Sequence, residues 1–232
     1  MAGKNGTTII FILKMKKKIF FSIIVLFITY IPSVIFAHPI DIDKLSRIDV
    51  SWLYMQLGFT HILPYGFDHI LFIVGLYLMC KTMKQVIMLA TTFTIAHSIT
   101  LGLSMFNIVS VPSYIVEPFI ALTILAVAIE VIFVKDFKRI TIAIVFFFGL
   151  IHGLGFAGAL HELGLPQKEF GYALVLFNVG VELGQIAVIF LSYILFGKWT
   201  KDKIWYKQKV AIPISIVIAL FAIYWTVERV MS

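Results

Sequence analysis

Cys80 is the only cysteine in the 232-residue chain. A single thiol excludes an internal disulfide and a thiolate metal cluster. Charge is scarce as well: Asp, Glu, Lys and Arg make up 13% of the residues, about half the share of an average soluble domain. There is no nucleotide-binding Gly-rich loop ending in Gly-Lys-Ser/Thr, so this chain does not itself use a nucleoside triphosphate at such a site. There is no His-Glu-x-x-His pair either, which removes the best-known zinc-protease arrangement. The net charge of +7 would suggest nucleic acid in a soluble protein. Here the basic residues lie in short segments between apolar blocks, where membrane topology accounts for them, and no nucleic-acid partner is expected.

The rest of the chain is largely apolar. Hydrophobic residues make up 61% of the sequence, and the mean hydropathy is +1.02. They come in blocks of roughly 20 residues, the length a helix needs to cross a bilayer. The pattern predicts an all-α, polytopic membrane helical bundle of about six transmembrane helices after a signal peptide. Residues 1–14 read as an N-terminal extension. Met15–Lys18 opens a signal-peptide n-region, Ile19–Ile31 is its apolar core, and Pro32–Ala37 ends at a small residue suited to cleavage. Cleavage after Ala37 would make His38 the mature N-terminus, whose amine and imidazole could chelate a metal together. Residues 38–60 are expected to form a short extracytoplasmic, interfacial lead, and 61–232 a single transmembrane domain. The spans fall near 66–80, 86–106, 114–134, 139–159, 170–196 and 210–228, with an irregular entry to the first at Pro64 and Gly66. Lys81, Lys84, Lys135, Lys138, Arg139 and the lysines of 198–209 outnumber Lys44, Arg47, Lys168 and Arg229. The positive-inside rule then puts both mature termini outside the inner membrane of a bacterium.

Ionisable residues inside spans are costly, about 2.5–3.5 kcal/mol each on insertion scales, so each needs a partner or a task. Asp68 and His69 lie at the start of the first span, His97 in the second and Glu117 at the start of the third, with Pro118 beside it as a first-turn proline. His152 lies in the fourth. Asn178, Glu182 and Gln185 share one face of the fifth by their helical spacing. Asp68 and His69 are about 100° apart on a helix, so they point differently unless the entry is irregular. These polar groups gather in the outer half of the bundle. Imidazole with carboxylate and no thiolate suits a divalent Ni, Co, Zn or Cu ion. The expected metal ligands are His69, His97, His152, Asp68, Glu117 and Glu182, with His38, His61 and Asn178 as further candidates. Gly149 and Gly153, four apart in the fourth span, predict close approach of a neighbouring helix.

Five ordered motifs carry a family resemblance. They are Gly66-Phe-Asp-His-Ile-Leu-Phe72, Thr92-Phe-Thr-Ile-Ala-His-Ser-Ile-Thr-Leu101, Val116-Glu-Pro-Phe-Ile-Ala-Leu122, Phe148-Gly-Leu-Ile-His-Gly-Leu-Gly-Phe-Ala157 and Phe177-Asn-Val-Gly-Val-Glu-Leu-Gly-Gln185. Over residues 58–190 the chain resembles the HupE/UreJ family. These are membrane proteins associated with hydrogenase and urease maturation and regarded as nickel or cobalt permeases. The family's histidine and acidic positions fall on Asp68, His69, His97, Glu117, His152 and Glu182. A looser likeness links the chain to other nickel/cobalt permeases, marked by His, four residues, then Asp-His; here six residues separate His61 from Asp68. The resemblance implies a transporter or metal-acquisition protein rather than an enzyme, with a homo-oligomer or accessory metal-binding proteins as candidate partners beside lipid and metal. The alternatives are an intramembrane zinc hydrolase with Glu182 as base and a metal-binding structural subunit.

Overall fold

The computed structural model describes residues 46–134, 138–163 and 170–231, with side chains described outside 158–170. The expected signal peptide, its extension and His38 lie outside the described residues. Among the described residues every regular element is helical. The helices are α1 (Arg47–Ile62), α2 (Phe67–Met79), α3 (Met83–Met105), α4 (Ser113–Phe133), α5 (Ile140–Leu163), α6 (Phe170–Ser192) and α7 (Ile212–Met231). Five spans are long and apolar enough to cross a bilayer, and α1 with α2 makes a sixth as a bent pair. The protein is a multi-pass membrane protein.

Local sequence sets several boundaries. Ser46 caps α1 by accepting from the Asp49 N–H. Thr82 and Gln85 form a reciprocal capping box at the start of α3. α4 begins earlier than the position of Pro118 suggests: Ser113 starts it after Pro112. Pro118 therefore lies in the second turn, where its missing N–H leaves the Tyr114 carbonyl outside the helical ladder.

The first span is where the structure adds most to the sequence reading. Leu63–Gly66 interrupts it, and α1 and α2 meet at a bend of 68°. Both halves nevertheless run in the same direction along α6. Ser51 donates to the Tyr172 hydroxyl at 2.9 Å, Gly58 abuts the Phe177 carbonyl and Gly184 abuts Ile62. Tyr77, near the end of α2, reaches Gly197 beyond α6. Residues 47–62 therefore form the first half of a broken span. The break lies level with the middle of α6.

Close helix pairs enclose this break. Gly153 of α5 sits against the His97 carbonyl and Thr100 of α3, where any Cβ would collide. Thr100 donates across the same seam to the Leu150 carbonyl at 2.7 Å. α1 presses on α6 at Gly180, which faces the Met55 carbonyl. The buried core includes Phe72, Leu76, Phe93, Ile124 and Phe177, while Phe147, Leu220 and Val227 face outward in the apolar belt a bilayer would cover.

A candidate metal centre

Each imidazole comes from a different position in this frame. His61 ends α1, His69 opens α2, His97 lies in α3 and His152 in α5. At about 1.5 Å per residue, His97 lies about 12 Å from the Met105 end of its helix. The break brings His61 and His69 to the same depth. Their ring centroids are 4.6 Å apart, and His97 lies 5.8 Å from His61 and 6.0 Å from His69. One nitrogen from each of these three falls within 4.8 Å of the other two. A point between three such atoms is at most about 2.8 Å from each, so contraction of about 0.7 Å reaches the 2.0–2.1 Å of a metal–imidazole bond.

His152 stands 4.9 Å from His69, beside the three-nitrogen group. Its Nε2 lies 2.8 Å from the Thr123 hydroxyl, and that hydroxyl donates its own proton to the Ile120 carbonyl at 2.7 Å. When that hydrogen goes to Ile120, Thr123 can only accept from His152. In that arrangement His152 donates from Nε2 and presents a lone pair at Nδ1. Among the described residues, Nε2 of His61 and His69 and Nδ1 of His152 have no hydrogen-bond partner, and the His97 ring has Asn178 as its side-chain hydrogen-bonding neighbour. Buried polar atoms left this way cost about 1–3 kcal/mol each, so their convergence suits a ligand. His69, His97 and His152 are buried. Phe156 lies 3.9 Å from the His61 ring and Phe93 5.0 Å from that of His152. Apolar walls exclude water and strengthen electrostatic interactions inside them.

The carboxylates lie elsewhere. Asp68 Oδ2 accepts from Arg229 Nη2 at 2.8 Å, and both side chains are about one-fifth exposed, while Asp68 Oδ1 is buried without a hydrogen-bond partner among the described residues. Arg229 Nη1 also donates to the Glu117 carbonyl at 3.1 Å, with the Glu117 carboxylate 3.9 Å from Nε. Glu117 lies six residues before Thr123 in α4, which puts this ion-pair layer about 9 Å from the level of His152. Glu182 accepts from the Thr91 hydroxyl at 2.6 Å. It lines a groove of about 430 Å³ between α3 and α6 with Thr94, Ser98 and Asn178. Asn178 stands beside His97 and donates to the Leu174 carbonyl at 2.8 Å, while its Oδ1 has no hydrogen bond of normal geometry. Gln185 donates to Thr94 at 2.9 Å. Glu130 accepts from Thr141 at 3.0 Å.

The structure thus brings His61, His69 and His97 together, with His152 adjoining and Asn178 at the edge. Asp68, Glu117 and Glu182 lie outside this group, each with one contact to another residue, and Asp68 Oδ1 and Glu182 Oε2 are buried without a partner among the described residues. Sequence reasoning missed Thr123 as the orienting group and Arg229 as the partner of two acids. A basic residue on the side that the charge bias leaves poor in lysine was the available signal for Arg229.

The model of the HupE / UreJ protein family matches residues 39–229. The chain belongs to this family. No curated protein and no solved structure matches it.

Proposed function

We propose that this HupE/UreJ protein carries a nickel- or cobalt-type divalent ion across the bacterial inner membrane, and that His61, His69 and His97 are its binding site. The broken first span carries the reading. Transporters place their sites near the midplane at breaks in helices, where irregular backbone is buried in protein. Here the break delivers two imidazoles to a third on a facing helix. Family membership supports nickel or cobalt handling. The donor set supports a borderline transition metal over calcium or magnesium, which prefer oxygen.

The ion would enter from the extracytoplasmic end past Asp68 and Glu117, shed water at the imidazoles and exchange onto His152 Nδ1. The inward route would follow the polar seam of Asn178, Thr94, Gln185, Thr91 and Glu182 between α3 and α6. An ion gradient or capture by cytosolic metal-binding proteins would supply the direction. A zinc hydrolase on the same imidazoles would need a carboxylate base at the metal. The group of side chains close enough to share an ion consists of His61, His69 and His97, with no carboxylate among them, which favours transport.

The test is nickel uptake into proteoliposomes by the mature protein and by His97→Ala. Uptake by the wild type that falls at least tenfold in the variant, with equal insertion, is the expected result. Equal uptake by both would overturn the proposal.

A further inference from the structure

At the opposite end of the bundle from Arg229 is a second, basic cavity. It has a volume of about 390 Å³ and lies between the ends of α2 and α4 and the segment joining α6 to α7. Among the described residues, Lys81, Lys201, Lys203 and Lys207 line it, with Asp202 as the one acid. The rest of the lining is largely apolar and includes Leu78, Val131 and Ile204. Trp199, Ile204 and Trp205 of the joining segment are exposed, as expected for residues lying in a membrane interface.

Two of these lysines are fixed in place. Lys207 Nζ donates to the Val134 carbonyl at 2.8 Å. Lys201 Nζ reaches the Tyr77 carbonyl at 3.4 Å and sits 4.0 Å over the Tyr77 ring. These carbonyls belong to helix C-termini, which attract cations. Each contact uses one of the three donors of an ammonium group and leaves the others for a ligand. Burial lowers the Lys201 pKa, against the opposing influence of Cys80 and Asp202; a bound anion would favour its charged form. The Tyr206 hydroxyl, on another lining residue, is buried without a hydrogen-bond partner among the described residues.

We propose that this cavity binds the phosphate headgroup of an anionic phospholipid, with Lys201 and Lys207 holding the phosphate and the apolar wall accepting the start of an acyl chain. The mixed lining selects a phospholipid over free phosphate, because an inorganic ion would leave the apolar wall uncovered. Basic pockets between helices at a membrane surface take such headgroups, at about 1 kcal/mol per lysine. This site is independent of the metal reading.

The experiment is native mass spectrometry of the full chain in detergent with added phosphatidylglycerol or phosphatidylcholine, and separately with inorganic phosphate as competitor. The wild type should retain phosphatidylglycerol in preference to phosphatidylcholine, and millimolar phosphate should not displace it. Lys201→Gln/Lys207→Gln should lose retention on the order of 30-fold, the equivalent of two lysine contacts. Lys198→Gln/Lys209→Gln, with the same charge change outside the cavity, should retain it. If the first double variant does not fold, Lys201→Gln and Lys207→Gln singly should each lose about fivefold. Equal loss in both double variants, retention of both lipids alike, or displacement by phosphate would each overturn the proposal.

Discussion

Replacing Arg229 with alanine removes the guanidinium that ties the starts of α2 and α4 to the end of α7. The two acids it touches should respond differently. The Asp68 contact is 2.8 Å long between side chains 18% and 21% exposed, whereas the Glu117 carboxylate is 3.9 Å away and 50% exposed. Fully exposed pairs contribute about 0.2–1 kcal/mol, and breaking a buried pair costs about 3–5 kcal/mol. Asp68–Arg229 lies between those limits, at about 2 kcal/mol, and Glu117–Arg229 near the exposed limit, at about 0.5 kcal/mol. For a chain of this size 2 kcal/mol lowers Tm by about 4–8 °C. The assay is reversible unfolding in mixed micelles on two double-mutant cycles, Arg229→Ala with Asp68→Asn and Arg229→Ala with Glu117→Gln. A coupling below about 0.5 kcal/mol in the first cycle, or equal couplings in both, would refute the reasoning.

Thr123→Val removes the hydroxyl that holds the His152 ring while keeping its shape; metal affinity measured by calorimetry should fall about tenfold, at the low end for loss of an outer-shell partner. Gly153→Ala drives a Cβ into the His97 carbonyl and should destabilise by about 2–3 kcal/mol in the same unfolding assay. Gly171→Ala meets nothing within 4 Å and should be neutral or stabilising by up to about 1 kcal/mol. Glu182→Gln should keep stoichiometric metal binding but slow proteoliposome uptake, because Glu182 lies on the inward seam and not at the imidazoles; loss of binding would place it at the metal instead.

Much of the architecture could be read from composition. Apart from the first span, the apolar blocks locate the spans to within a few residues, because bilayer thickness fixes helix length. Gly149 and Gly153 signal the α3–α5 approach, since only small residues let backbones come so close. The shared face of Asn178, Glu182 and Gln185 does meet the Thr91–His97 face of α3. The broken span was harder to see. Pro64 and Gly66 mark an interruption, but the polar residues before them make 47–60 look like a surface lead, and only packing on α6 turns that stretch into half a span. His61 joins the site for the same reason. Asp68 illustrates a different limit. Helical spacing says that it diverges from His69, but its partner lies 161 residues away in sequence, and no local pattern encodes that contact.

X-ray absorption at the nickel edge of the Ni(II)-loaded protein bears most directly on the central claim. The account predicts three or four imidazole nitrogens in the nickel shell at about 2.0–2.1 Å, the usual metal–imidazole distance, with the imidazole signal and the bound nickel both lost in His61→Ala. A shell of oxygens alone, or an unchanged spectrum in His61→Ala, would contradict it.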